Sequence, residues 1–261
     1  MNGKFSGESS SARLRSLMTR HRGAPARRPA PSVCRWPWFC IAAFCLPLSA
    51  AANEQAATVC RNGLFAAEQQ SLQVATLLGA AQQRFTFYRD DAPCPDDSES
   101  CRQRAYLLAG DEVLVGKVVG NWACAWFVGK KHETVGWLKA SDLQFRPPGG
   151  ALRAADWIGV WRYSPNDGRI RIAGRQGRLT IDGSASWLGA PVGAGVRVVH
   201  TGEMTGELAW QGRRARFMAG SGADDCAAEL TQVGRYLVVA DNGHCGGANV
   251  RFDGVYLIRE R

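Results

Sequence analysis

The side chains best able to do chemistry in this 261-residue chain are few and poorly grouped for it. Group transfer needs a nucleophile, a base and an orienting group within reach of one another. Beyond the first 52 residues the histidines are His132, His200 and His244. His132 sits in the polar run Gly129-Lys130-Lys131-His132-Glu133, which reads as a hairpin tip, and His200 lies in an alternating strand as a wall residue. His244-Cys245 invites thiol catalysis, yet neighbours on a strand point to opposite faces. No G-x-S-x-G, H-E-x-x-H or phosphate-binding loop occurs. The expectation is a non-catalytic protein with no cofactor and no metal. Asp90-Asp91, Asp96-Asp97 and Glu99 surround Cys94, and Asp224-Asp225 adjoins Cys226. Clustered carboxylates suit a hard cation, but none follows the EF-hand spacing, so they read as solvated loops. What remains is aromatic. Trp122, Trp126 and Phe127 lie around a turn, with Tyr106 on a neighbouring strand. Alternation puts Trp122 and Trp126 on one face and Phe127 on the other. Tyr106, Trp122 and Trp126 are the candidate ligand-binding residues, as parts of a groove for an extended peptide.

The formal net charge of +9 suggests a nucleic-acid or anionic-surface binder. That charge is concentrated at one end. Residues 1–52 hold Lys4 and seven arginines against Glu8 alone, leaving 24 basic and 22 acidic side chains in the rest. A strongly basic body is excluded, and no nucleic-acid partner is expected. The run Arg213-Arg214-Ala215-Arg216 reads as a strand edge protected by charge.

Trp36 to Leu48 reads WPWFCIAAFCLPL, with basic residues ahead of it and Ser49-Ala50-Ala51-Ala52 behind. A basic region, a short apolar core and a small-residue exit describe a secretory leader over residues 1–52. A membrane span needs about 20 apolar residues, and Pro37 and Pro47 interrupt this run, so no span is expected in the mature form. Phe39 before Cys40 and Phe44 before Cys45 argue against a lipidated cysteine. The expected location is periplasmic or secreted. Six cysteines then remain: Cys60, Cys94, Cys101, Cys124, Cys226 and Cys245. An even set in an exported chain argues for disulfides, and the absence of C-x-x-C spacing argues against zinc. Proximity along the chain favours Cys94–Cys101 and Cys226–Cys245, leaving Cys60–Cys124.

The elements that must position these side chains are short strands. Residues 66–83 could be helical by composition, but Leu72, Val74, Thr76 and Leu78 alternate and favour a strand. Further strands are expected at 84–88, 105–108, 112–119, 122–128, 134–139 and 143–145. Pro147-Pro148-Gly149-Gly150 follows as a linker, taken over residues 146–152. The second half opens at Asp156 to Tyr163, with strands then expected at 169–173, 178–182, 196–201, 207–210, 215–218, 226–231, 236–240, 250–252 and 255–258. Asn166-Asp167-Gly168, Asp182-Gly183, Asn242-Gly243 and Asp253-Gly254 supply turn chemistry. The fold class is all-β: a small barrel with an N-terminal extension over 53–145, then an antiparallel meander closed into a barrel over 153–261.

Two resemblances sharpen this. Ala105-Tyr106-Leu107-Leu108-Ala109-Gly110-Asp111, Trp122, Trp126 and the closing Gly136-Trp137-Leu138 with Leu143 make residues 85–143 resemble a bacterial SH3-like domain. The Cys94–Cys101 insertion departs from that pattern in an early loop that often shapes ligand binding. From Asp156 onward, Gly159-Val160-Trp161 and Arg259 make the chain look like a small calycin-type barrel, the group of lipocalins and some bacterial lysozyme inhibitors. That resemblance implies that the Trp161 indole crosses the barrel floor beneath Arg259.

Together these features predict a periplasmic or secreted binding protein whose SH3-like half contacts cell-wall peptide, peptidoglycan or another extended peptide. A second reading is an inhibitor or immunity protein against a periplasmic cell-wall hydrolase, reaching the enzyme through turns such as Asp241-Asn242-Gly243-His244. A third, a small-ligand carrier, requires an open barrel cavity.

Overall fold

A computed structural model of the chain describes residues 59–67, 71–129, 132–147, 149–163, 168–193 and 195–260. The secretory leader expected over residues 1–52 and the expected Asn166-Asp167 turn lie outside these residues. The fold is all-β, with a seven-stranded antiparallel sheet followed by a closed eight-stranded barrel.

The sheet is built from β1 (Gln73–Leu77), β2 (Arg84–Tyr88), β3 (Arg102–Leu108), β4 (Glu112–Val119), β5 (Trp122–Val128), β6 (Glu133–Lys139) and β7 (Leu143–Arg146). Its order is β3-β2-β6-β5-β4-β1-β7. Every strand contributes to one apolar cluster, which includes Leu77, Phe85, Leu107, Val113, Ala125, Leu138 and Leu143. The sheet curls over that cluster. Its second face is equally apolar: Val74, Tyr88, Leu114, Cys124, Trp126, Val135 and Trp137 are buried there.

The barrel comprises β8 (Gly159–Tyr163), β9 (Arg169–Arg175), β10 (Arg178–Val192), β11 (Val196–Gln211), β12 (Arg214–Met218), β13 (Ala227–Val233), β14 (Tyr236–Asp241) and β15 (Gly254–Glu260), closed by pairing of β15 with β8. A single helical turn, Ala154–Trp157, leads into it. Trp157, Trp161, Ile170, Met204, Phe217, Phe252 and Tyr256 are among the side chains that pack its interior. The Trp161 N–H donates to the Trp157 carbonyl at 3.3 Å, while Arg259 is exposed.

Several local expectations are corrected. The strands expected at 196–201 and 207–210 are one continuous strand, β11. Gly202 does not break it, because its missing side chain admits another backbone: a Cβ there would stand 2.5 Å from the Cys245 carbonyl. Asp182-Gly183 is not a turn but the middle of β10, where Gly183 makes room for Met204 and Phe252. Residues 250–252 form no strand. Val250 and Phe252 plug the barrel from a loop, and the Phe252 N–H goes to the buried Asp241 carboxylate. Arg214 and Arg216 are not on an edge strand, since β12 is paired on both sides.

Between the two parts, the linker is tied down by Arg213, whose guanidinium donates to the carbonyls of Gly149 and Gly150 at 2.6 and 3.1 Å. The six cysteines form Cys60–Cys124, Cys94–Cys101 and Cys226–Cys245. All three bridges and all the apolar clusters lie within the described residues, which belong to one compact unit. Residues 53–261 thus carry their own core. In the chain-entropy account the bridge closing the longer loop stabilises more. The separations are 64 residues for Cys60–Cys124 and 7 for Cys94–Cys101. Thiol titration of oxidised residues 53–261 is expected to find no free thiol. Urea unfolding of serine pairs should show removal of Cys60–Cys124 costing about 2 kcal/mol more than removal of Cys94–Cys101; equal costs would contradict this.

Candidate functional site

Of the three aromatic residues expected to form a groove, the structure leaves two at the surface and places them apart. On β5 the residues Trp122, Cys124 and Trp126 share one face, and Phe127 turns to the other with Ala123 and Ala125. That face meets the barrel, so Trp126 is only 2% exposed. Its N–H donates to Glu133 at 2.8 Å and its ring stands edge-on to Tyr236 of β14, centroids 5.9 Å apart. Trp126 therefore belongs to the contact with the barrel and not to an open groove. Tyr106 is 47% exposed, with the Arg84 guanidinium 4.4 Å from its ring centroid.

Trp122, at the first position of β5, is half-buried and packs edge-on against Tyr88 with centroids 4.7 Å apart. It walls a cleft of about 590 Å³ together with Pro95, Asp96, Asp97, Asn121 and Lys139. Tyr106 does not line it. The acidic wall comes from the loop closed by Cys94–Cys101, which holds Asp97 2.6 Å from Lys139. That contact raises the Lys139 ammonium above its usual range, mainly through the hydrogen bond to Asp97. Asp96 accepts from the Ser98 hydroxyl and N–H, which lowers its carboxyl. The arrangement offers one aromatic face, one cation and two carboxylates around a solvent-open trough.

Behind this cleft lies a seam that sequence reasoning missed. Tyr236, Val238, Val255 and Leu257 on the outside of the barrel pack with Leu114, Trp126 and Val135 of the sheet. Phe65 and Ala66 fill the same cluster. Two carboxylates cross it. Glu112 of β4 accepts from the Tyr236 hydroxyl at 2.9 Å and pairs with Arg235 and Arg146. Glu133 of β6 accepts from the Tyr163 hydroxyl at 3.1 Å besides Trp126. The signal was present: Tyr236-Leu237-Val238-Val239 is an unbroken apolar run, and a strand buried on both faces reads that way.

Other candidates resolve into local structure. Asp90 binds Arg61 and the Cys60 N–H, Asp91 pairs with Arg89, and Asp225 caps the Gly222 N–H. In the Asp241–His244 turn, Asp241 accepts from the Gly243 N–H, and the Asn242 side chain binds Ala227, Asp225 and His244 backbone groups. His200 packs against Trp187 with centroids 5.6 Å apart. No helix among the described residues is long and apolar enough to cross a membrane.

Comparison with known proteins finds no matching family model, no matching curated protein and no matching solved structure.

Burial pushes the Tyr236 phenol up to about 12, with its bond to Glu112 acting in the same direction and Arg235 opposing. Burial also raises Tyr163, reinforced by Glu133. An unfolded tyrosine ionises near 10. The stability these phenols contribute is therefore complete below that pH and is lost as pH rises toward their folded values. Denaturant midpoints measured from neutral pH upward should hold to about pH 10 and then fall toward pH 12, and Tyr236→Phe should flatten part of that fall. An unchanged slope in the variant would contradict the seam assignment.

Proposed function

We propose that the chain is an exported, non-catalytic binding protein that holds an extended peptide, cell-wall peptide foremost, in the cleft beside Trp122. One observation carries the reading: a half-buried tryptophan forms a wall of an open trough that also presents Lys139, Asp96 and Asp97. Aromatic-walled grooves with polar rims bind extended chains by packing side chains on the ring and pairing charges at the edge. Lys139 and the Asp96-Asp97 pair suit a ligand bearing both carboxylate and amine groups, as peptide cross-links and termini do. The SH3-like resemblance of residues 85–143 points the same way. Export is supported by the leader sequence together with three disulfides.

The two other readings draw less support. In the turn at Asp241–His244 that would enter a hydrolase cleft, the Asp241 and Asn242 side chains are engaged internally. A carrier needs space where Trp161, Met204 and Phe252 pack.

The test is co-sedimentation of residues 53–261 with purified peptidoglycan sacculi. The unaltered protein should pellet, Trp122→Ala should lower its affinity about tenfold or more, and Tyr106→Ala should leave it unchanged. Matching thermal melts would show that both variants fold. Failure of the unaltered protein to pellet, or full retention of Trp122→Ala, would overturn the reading.

A further inference from the structure

The hairpin β10–β11 is longer than the barrel requires. Strand β10 pairs with β9 only as far as Ser184, opposite Arg169, and β11 pairs with β12 only from Leu208 onward. Beyond Ser184 the two strands continue against each other to the Val192–Val196 pair. At about 3.3 Å per residue, the eight positions from Ala185 to Val192 project some 25 Å as a two-stranded ribbon. The loop after Cys245 pairs with β11 near Gly202, at the ribbon's root.

The ribbon's composition is the reverse of a solvated hairpin. Trp187, Leu188, Val192, Val196, Val198 and Val199 are between 37% and 67% exposed. They occupy both faces. Trp187 and His200 are one cross-strand pair, Leu188 and Val199 the next, so the two pairs point in opposite directions. From Ala185 to Thr201 the only formally charged side chain is Arg197. A ribbon packed on a flat protein surface would hide one face and leave the other wet. Pairing edge to edge with a second copy would likewise leave both apolar faces exposed. A lipid surface surrounds a projecting finger on all sides.

The charges near the root fit the same occupant. Arg169, at the last β9–β10 pair, lies opposite Arg162 of β8. Neither forms an ion pair among the described residues. Glu203, opposite Ser184 on β11, is the one carboxylate in that cross-strand row, so the row and Arg197 together carry net positive charge. Tryptophan and arginine partition favourably at the headgroup level, where the ring is half wet and the guanidinium meets phosphate. We propose that the β10–β11 ribbon docks this protein on an anionic lipid surface. The apolar tip, with Arg197 beside it, enters the headgroup–acyl boundary, and Arg162 and Arg169 at the root add positive charge that draws the ribbon toward the anionic surface.

The experiment uses residues 53–261 with vesicles of phosphatidylcholine containing phosphatidylglycerol, and with phosphatidylcholine alone, read by co-sedimentation and by sedimentation velocity without lipid. Binding is expected to the anionic vesicles, weakening with added salt as screened charge requires. Leu188→Ser with Val198→Ser, which strips one residue from each face outside the barrel, should lower it about tenfold or more. Arg162→Gln with Arg169→Gln should reduce only the difference between the two vesicle types. No binding by the unaltered protein, or equal binding by the serine variant, overturns the proposal. So does a lipid-free dimer that the serine variant abolishes, which would assign the ribbon to a second copy.

Discussion

The structure depends on the burial of an apolar surface that neither half can cover alone. The seven-stranded sheet is apolar on both faces, and only one face is enclosed by its own curl. The barrel carries Tyr236, Val238, Val255 and Leu257 on its outside, where a closed barrel in water would carry polar residues. At roughly 25 cal/mol per Å² of apolar area, leaving both surfaces wet carries a cost that docking one on the other removes. Glu112 and Glu133 then decide how the surfaces meet, because each, half-buried, accepts a tyrosine hydroxyl from the barrel. Tyr236 is buried, and a buried hydroxyl left without its acceptor is costly, so these bonds select one docking geometry among those that apolar contact alone would tolerate.

That seam also explains the fate of the aromatic side chains. Trp126 and Trp122 lie on the same face of β5, four residues apart, and their roles differ only because the barrel covers one of them. Trp122 remains at the strand's beginning, held against Tyr88 and beside a loop whose position the Cys94–Cys101 bridge restricts. The cleft is thus set by an aromatic on a rigid strand and charges on a stapled loop, a division of labour that suits recognition of a flexible ligand. The ribbon stands at the other extreme: beyond its root, no strand among the described residues pairs with either outer edge and no described layer covers it. A lone pair of strands is marginal in water, so its apolar faces are better explained by a surface that meets them than by the barrel's own stability.

Much was legible in the sequence because it was local. Alternation in 84–88 depends only on the two-residue strand period, and β2 appears with those bounds, as does β4 over the expected 112–119. Gly243 adopts the positive φ that Asn-Gly turns require. The cysteine pairing followed from chain proximity and an even count. The errors arose where a residue answers to a distant neighbour. Gly183 looked like turn punctuation and a strand was expected to end before Gly202, yet each is small because Met204 with Phe252, or the Cys245 loop, presses on it. Val250 and Phe252 looked like a strand because they are apolar, but the open end of the barrel buries them without a ladder.

By itself the sequence determined the all-β class, the disulfide framework, most strand positions and the segregation of basic charge in the first 52 residues. These follow from periodicity, composition and covalent chemistry, which act over a few residues or at fixed cysteines. Only the tertiary structure decided that the sheet and the barrel share a core, that Trp126 is covered while Trp122 lines a cleft, and that β10 and β11 outrun their neighbours. Each of these is a fact about what lies opposite a side chain across a gap in sequence, and burial is set by that partner, not by the residue's own type.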